Sequence, residues 1–154
     1  MKKFAFYFIL FTITASVLKG SEQIRSFEEL LAALKNGKQI RAVIHYAKCI
    51  LIVDGEEESA PDAIGGMQLN TFEYFARMSV RNEKAFISAS ETVLISHPFY
   101  GFVNNYGKLR IYEDGAVEIV VKYLDPKTYE IKMDETFKTT INNGTEDGAA
   151  YFYF

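Results

Sequence analysis

The sequence predicts an α+β fold: one N-terminal helix packed on a curved, barrel-like antiparallel sheet of about seven or eight strands in meander order. The stretch Leu109–Ile141, LRIYEDGAVEIVVKYLDPKTYEIKMDETFKTTI, carries most of this reading. It holds three runs of strand-forming residues joined by two turn signals. Asp114-Gly115 separates Leu109–Glu113 from Ala116–Leu124, and Asp-Gly tolerates the positive φ of a type I′ turn. Asp125-Pro126-Lys127-Thr128 places Asp first and Pro second, as a type I turn prefers. From there Tyr129, Ile131 and Met133 alternate with Glu130, Lys132 and Asp134, the period of two that gives a strand one wet face. Helical spacing marks one short stretch near the N-terminus, and the runs between it and the meander read as strands. No internal repeat or second domain is visible.

The first residues stand apart from that body. Lys2 and Lys3 form a short positive region, and Phe4–Leu18 is apolar except for Thr and Ser. A helix of this length spans roughly 22 Å, short of the ~30 Å hydrocarbon core of a bilayer. Residues 1–20 are therefore read as a secretory signal peptide cleaved after Gly20, with a cut after Ser16 as the runner-up, and residues 21–154 as a single domain. An uncleaved anchor is the alternative. The expected location is secreted, extracellular or periplasmic, with no stable membrane span after cleavage. Loss of Lys2, Lys3 and Lys19 leaves 14 of the 17 basic residues against 20 acidic ones, which takes the net charge from −3 to −6. The basic residues are scattered singly, so neither nucleic acid nor an anionic membrane surface is an expected partner.

The elements follow in order. Ser26-Phe27-Glu28-Glu29 is a capping box: the serine hydroxyl takes the free amide at the third helical position and Glu29 reaches back. Phe27, Leu30, Leu31 and Leu34 then recur at helical spacing, and Asn36-Gly37 supplies a left-handed stop. Lys38–Val53 reads as strand, with Ile40, Ala42, Ile44 and Tyr46 on one face. A soft break falls at Ala47-Lys48, after which Cys49–Val53 is apolar on both faces. Asp54–Gly66 is a surface loop with five acidic residues, Pro61 and three glycines. It lacks the alternating ligand spacing of a calcium loop, so solvated acid is the better reading. Met67–Val80 and Ala85–Ile95 are two strands joined at Arg81–Lys84, with Arg77 placed to stack on an aromatic ring. Ser88, Ser90 and Thr92 form a row that either binds a ligand or, more simply, faces water. His97-Pro98-Phe99-Tyr100-Gly101 is a turn. After the meander, Ala149–Phe154 is an aromatic strand that would be hazardous on an open edge and is expected to pair.

Chemistry is sparsely signalled. Cys49 is the single cysteine, so no internal disulfide can form. A buried apolar role is the simplest, with an intermolecular bridge or a reactive thiol as alternatives. On one regular strand His45 and Cys49 would share a face at about 13 Å, too far for a thiolate–imidazole pair unless the chain bends at Ala47-Lys48. His97 reads as an exposed turn residue. Two histidines and one cysteine do not make a recognisable metal set, and neither a phosphate loop nor a nucleophile elbow is present. No cofactor, metal or catalytic residue is assigned. Asn143-Gly144-Thr145 is an N-glycosylation sequon in a turn region.

Several of these segments resemble the VirK family of small exported proteins. The resemblance is carried by the N-terminal signal, by Ser26–Cys49 (SFEELLAALKNGKQIRAVIHYAKC), by Ile64–Phe75 (IGGMQLNTFEYF), and by RIYEDGAVEI and LDPKTYEIKMDETF within Arg110–Phe137. It implies export and supplies no activity. It also implies a second cysteine near the C-terminal strand, where this chain has Lys138-Thr139-Thr140, so that Cys49 stands here without its bridge partner.

The reading that follows is an exported binding or interaction module. Its first form holds a small apolar or amphipathic ligand between helix and sheet; aromatics make up 15% of the chain, enough to line a pocket as well as fill a core. Its second form is an interaction factor at a cell or host surface, using the acidic loop and exposed aromatics. A small hydrolase-type enzyme comes third, and would need His45, Cys49 or His97 to converge with acids in one cleft.

Overall fold

A computed structural model describes residues 21–145 and 148–154. The signal segment, with the expected cleavage at Gly20, lies outside the described residues. The α+β class holds: antiparallel sheet dominates and a single α-helix accompanies it among the described residues. The barrel does not form. The strands lie in two separate open sheets, and the described residues form eleven of them rather than seven or eight.

The smaller sheet has the order β1-β11-β2-β5 and is built from β1 (Gln23–Ile24), β11 (Ala150–Tyr153), β2 (Arg41–His45) and β5 (Ile64–Gln68). The larger has the order β4-β3-β10-β9-β8-β7-β6, from β4 (Glu56–Glu58), β3 (Ile50–Val53), β10 (Ile131–Thr140), β9 (Ala116–Leu124), β8 (Gly101–Tyr112), β7 (Phe86–His97) and β6 (Phe72–Phe75). From β6 to β10 this is the expected meander.

Two breaks in the strand pattern separate the sheets. The soft break at Ala47-Lys48 is a single 3-10 turn over Tyr46–Lys48, where the chain leaves β2 in one sheet and enters β3 in the other. The predicted strand Met67–Val80 breaks likewise: β5 ends at Gln68, Leu69 is buried with its N–H donating to the Ile40 carbonyl at 2.9 Å, and β6 starts in the other sheet. The Asp54–Gly66 loop also needs correction. Asp54 and Gly55 both take positive φ and turn the chain into β4, an acidic edge strand paired with β3, and Ile64–Gly66 already belong to β5. At Asp114-Gly115 only the glycine has positive φ, so the turn is not type I′. Arg77 pairs with Glu113 at 2.7 Å instead of stacking on a ring.

The helix α1 (Phe27–Lys35) starts where the capping box places it. Ser26 Oγ accepts from the Glu29 N–H at 3.2 Å, and the Glu29 carboxylate reaches back to the Arg25 N–H at 2.8 Å. It stops in a Schellman arrangement: Gly37, at φ 72°, donates to the Leu34 carbonyl, and Lys38 donates to that of Ala33. Phe27, Leu30, Ala33 and Leu34 are buried in one core with both sheets. Each large side chain buried this way contributes about 1.5–3 kcal/mol.

Register explains the rest of the core. Across the larger sheet, Leu51, Phe137, Ile119, Leu109 and Ala89 stand directly opposite one another, strand to strand, and all are buried. Residues two positions further along β7 to β10 keep the same inward parity but leave the packed zone.

An apolar cleft between the two sheets

Beyond the core row, the inner face of the larger sheet carries two more rows. Glu91, Gly107, Val121 and Glu135 form the first, and Val93, Asn105, Tyr123 and Met133 the second. The smaller sheet does not close down on them. Ile44, Gly65, Gly66 and Met67 stand opposite, with Tyr46, Pro61 and Ala63 at the side, and a cavity of about 360 Å³ lies between. No residue of α1 lines it. A second, more polar hollow lies between α1 and β1, lined by residues such as Arg25, Glu29 and Asn36.

Three glycines shape the cleft. A Cβ on Gly65 would stand 2.8 Å from the Tyr46 ring, and one on Gly66 would stand 2.7 Å from the Ala42 carbonyl oxygen. The Ile64–Gly66 segment is therefore a close-packed wall that lets the Tyr46 ring come up close against β5. Tyr46 is also held by Phe137, with ring centroids 4.7 Å apart. Gly107 acts in the opposite sense. A Cβ there would meet only Met67 Sδ, at 4.0 Å, so the missing side chain is open space in the cleft.

The polar groups are few. Burial raises the Glu135 carboxyl above the ordinary carboxylate range, and the neighbouring charge of Glu58 on β4 raises it further. Burial likewise raises the Tyr46 hydroxyl, assisted by Cys49, Tyr123 and Glu135, and raises the Tyr123 hydroxyl, assisted by Glu135 and Tyr100. Both phenols thus stay protonated at neutral pH and can donate hydrogen bonds. Glu91 and Glu135 end one row, three strand spacings apart, or roughly 14 Å along the sheet. A pair of hydrolytic carboxylates works at about 5–9.5 Å. The arrangement suits holding a molecule with an apolar body and a polar end.

The residues singled out from sequence fall elsewhere. The chain does bend at Tyr46–Lys48, but the Cys49 thiol donates to the backbone carbonyl of His45 at 3.6 Å and not to its ring. That ring packs on Tyr151, with centroids 4.9 Å apart. Cys49 is buried and burial raises its thiol, an effect that the neighbouring Thr139 side chain offsets in part. Thr139 lies in the segment where the family resemblance implies a second cysteine. His97 sits at the β7–β8 turn, its Nδ1 accepting from the Phe99 and Tyr100 N–H groups at 3.2 and 3.3 Å, with its ring near Tyr100 and Tyr123. His45, Cys49 and His97 do not converge. Ser88, Ser90 and Thr92 fall on the outer face of β7, opposite in parity to the cleft. Asn143 is half-buried and its Oδ1 accepts from the Thr145 N–H at 2.8 Å. Among the described residues no three His, Cys, Asp or Glu gather as a metal site, and no helix is long and apolar enough to cross a membrane.

A family model described as VirK protein matches residues 23–129, from β1 through β9. The chain belongs to the VirK family. A crystal structure of a VirK family protein from Legionella pneumophila has the same fold, with a TM-score of 0.65 at 16% identity over 86% of this chain and 98% of that one. No curated protein matches the chain. The VirK match includes Gly65, Gly66 and Gly107, whose space requirements shape the cleft, and stops short of Glu135. Glu135, Tyr123 and Gly107 were not singled out from the sequence. The available signals were an acid on the inward parity of β10, between Met133 and Phe137, and a glycine in mid-strand.

Proposed function

We propose that this VirK-family protein is an exported binding module that holds a small apolar or amphipathic molecule in the cleft between its two sheets. The observation that carries this reading is the cleft itself. It falls within the usual volume range of small-molecule sites, is walled chiefly by aliphatic and aromatic side chains, and offers a few polar groups at one place. Export is supported by Lys2, Lys3 and the apolar run Phe4–Leu18. The ligand position first expected, against the helix, moves to the inter-sheet cleft in this proposal because α1 is spent on the core.

Fluorescence of N-phenyl-1-naphthylamine, an apolar dye of suitable size, tests the proposal. The dye brightens on binding the protein, and Gly107→Val, which fills the open space, weakens dye affinity at least ~10-fold while leaving the fold intact, about the worth of one lost apolar contact site. Unchanged affinity in a folded Gly107→Val protein would contradict the proposal.

A second reading, an interaction surface, has its own support. The β7–β8 and β9–β10 turns lie at one end of the larger sheet, and Phe99 (89% exposed), Phe102 (68%) and Tyr129 (68%) stand there with Leu94 and Ile131. Contiguous apolar exposure of this kind is a feature of protein-contact sites. Substituting Phe99 and Phe102 by Ser would abolish capture of a surface partner and leave dye binding unchanged.

A further inference from the structure

The charge distribution around the cleft is one-sided. Among the described residues that line it, Glu91 and Glu135 are the only acids, and no Lys, Arg or His contributes to the wall. The acids on the outer face of the same sheet are treated differently. Asp134, the chain neighbour of Glu135, is paired with Lys122 at 2.8 Å; Glu118 meets Arg110 at 3.5 Å and Glu130 meets Lys132 at 2.7 Å. Glu135 has neither a hydrogen-bond partner nor an ion pair among the described residues, and the neighbouring charge that acts on it is that of another acid, Glu58. An acid half-buried on an apolar wall without a cation is costly unless something brings one. Beside it stand the aromatic rings of Tyr46 and Tyr123, whose faces also attract cations.

We infer that the cleft selects amphipathic molecules with a cationic head, an amine or a guanidinium, and that Glu135 receives the charge while Val121, Met133 and Met67 hold the apolar body. This rests on the proposed function above and names its ligand class. The missing counter-charge of Glu135 is supplied by the ligand, so a neutral head of the same length binds less well and an anionic head, facing Glu135, Glu91 and Glu58 together, binds worst.

The test is isothermal titration calorimetry of the protein purified from its own host, at low ionic strength and pH 8, with octylamine, octanol and octanoate as probes. Octylamine binds at least ~10-fold more tightly than octanol, the worth of one charge-assisted contact, and octanoate binds more weakly than octanol. Glu135→Gln brings octylamine to within about twofold of octanol, well under the tenfold that a charged contact is worth. Glu57→Gln, which removes an equal charge from exposed β4, keeps the full amine preference. Octanol affinity reports that each variant retains the cleft; should Gln disturb it, Glu135→Met, matching Met133 on the same face, replaces it. If octanol binds and octylamine binds no better, or if the preference survives loss of Glu135, the inference is overturned and the apolar-cleft reading stands. If none of the three binds, both fall.

Discussion

Glu135 is where residue-scale chemistry leaves its clearest trace. Its folded pKa lies above its unfolded value, so folding favours the protonated form. The associated stability is fully present below the unfolded value, about 4.5, and is lost as pH rises through the raised folded value. Glu135→Gln removes that loss. The variant should match the wild type in urea melts at pH 4 and exceed it at pH 8, and a stability difference that shrinks as pH rises would contradict the assignment. Cys49 makes a second residue-scale case. It continues the β3–β10 register, in which Leu51 faces Phe137 and Ile50 faces Lys138, so Thr139→Cys places two cysteines side by side on neighbouring strands. The variant should lose free thiol by Ellman titration and gain about 2–4 kcal/mol against urea, typical of a bridge closing a long loop. Two titratable thiols in the folded variant under oxidising conditions would show that the pairing is wrong. From sequence, Cys49 was legible as a small buried residue. Glu135 was not, because an acid in an alternating strand is equally consistent with the wet face until strand parity is anchored by Phe137 and Ile119.

Elements were legible wherever local chemistry alone decides them. The helix needs only Ser26, Glu29, Gly37 and four apolar residues at helical spacing, and its limits emerge as read. The β8–β10 meander follows from two turns and alternation, and its pairing runs in unbroken antiparallel register apart from one irregularity between Ile131 and Met133. The sheet switches were illegible for a physical reason. Cys49–Val53 is apolar on both faces, so periodicity does not reveal which sheet it joins, and Met67–Val80 contains no Pro or Gly at the point where it leaves β5. Close packing decides both, through the Tyr46 ring against Gly65 and the Gly66 backbone against Ala42. Gly66→Ala should therefore destabilise the protein by about 1–3 kcal/mol, as overpacking does, and by more than Gly65→Ala, because a flexible tyrosine ring can shift and a paired backbone carbonyl cannot. Thermal melts of the two variants check the order; a milder effect at Gly66 would contradict the packing.

At the scale of the whole molecule, the larger sheet is longer than the smaller sheet that covers it, and the cleft is the consequence. β7 and β8 are 12-residue strands, whereas β2 and β5 have five residues each. The small sheet and α1 bury the rows from Ile87 to Leu51, and the next two inward rows are left lining open space. A single curved, barrel-like sheet has no such mismatch in it, so the sequence points to the space between helix and sheet rather than to a cleft between two sheets. Family membership carries the fold without an activity, so the function turns on whether that space is filled. Mass spectrometry of the protein purified from its own host, under native and then denaturing conditions, measures this directly. The account predicts an added small-molecule mass in the native spectrum that is lost on denaturation, and its absence from the Gly107→Val protein. An unliganded protein in the native spectrum that also fails to take up octylamine or octanol would contradict it.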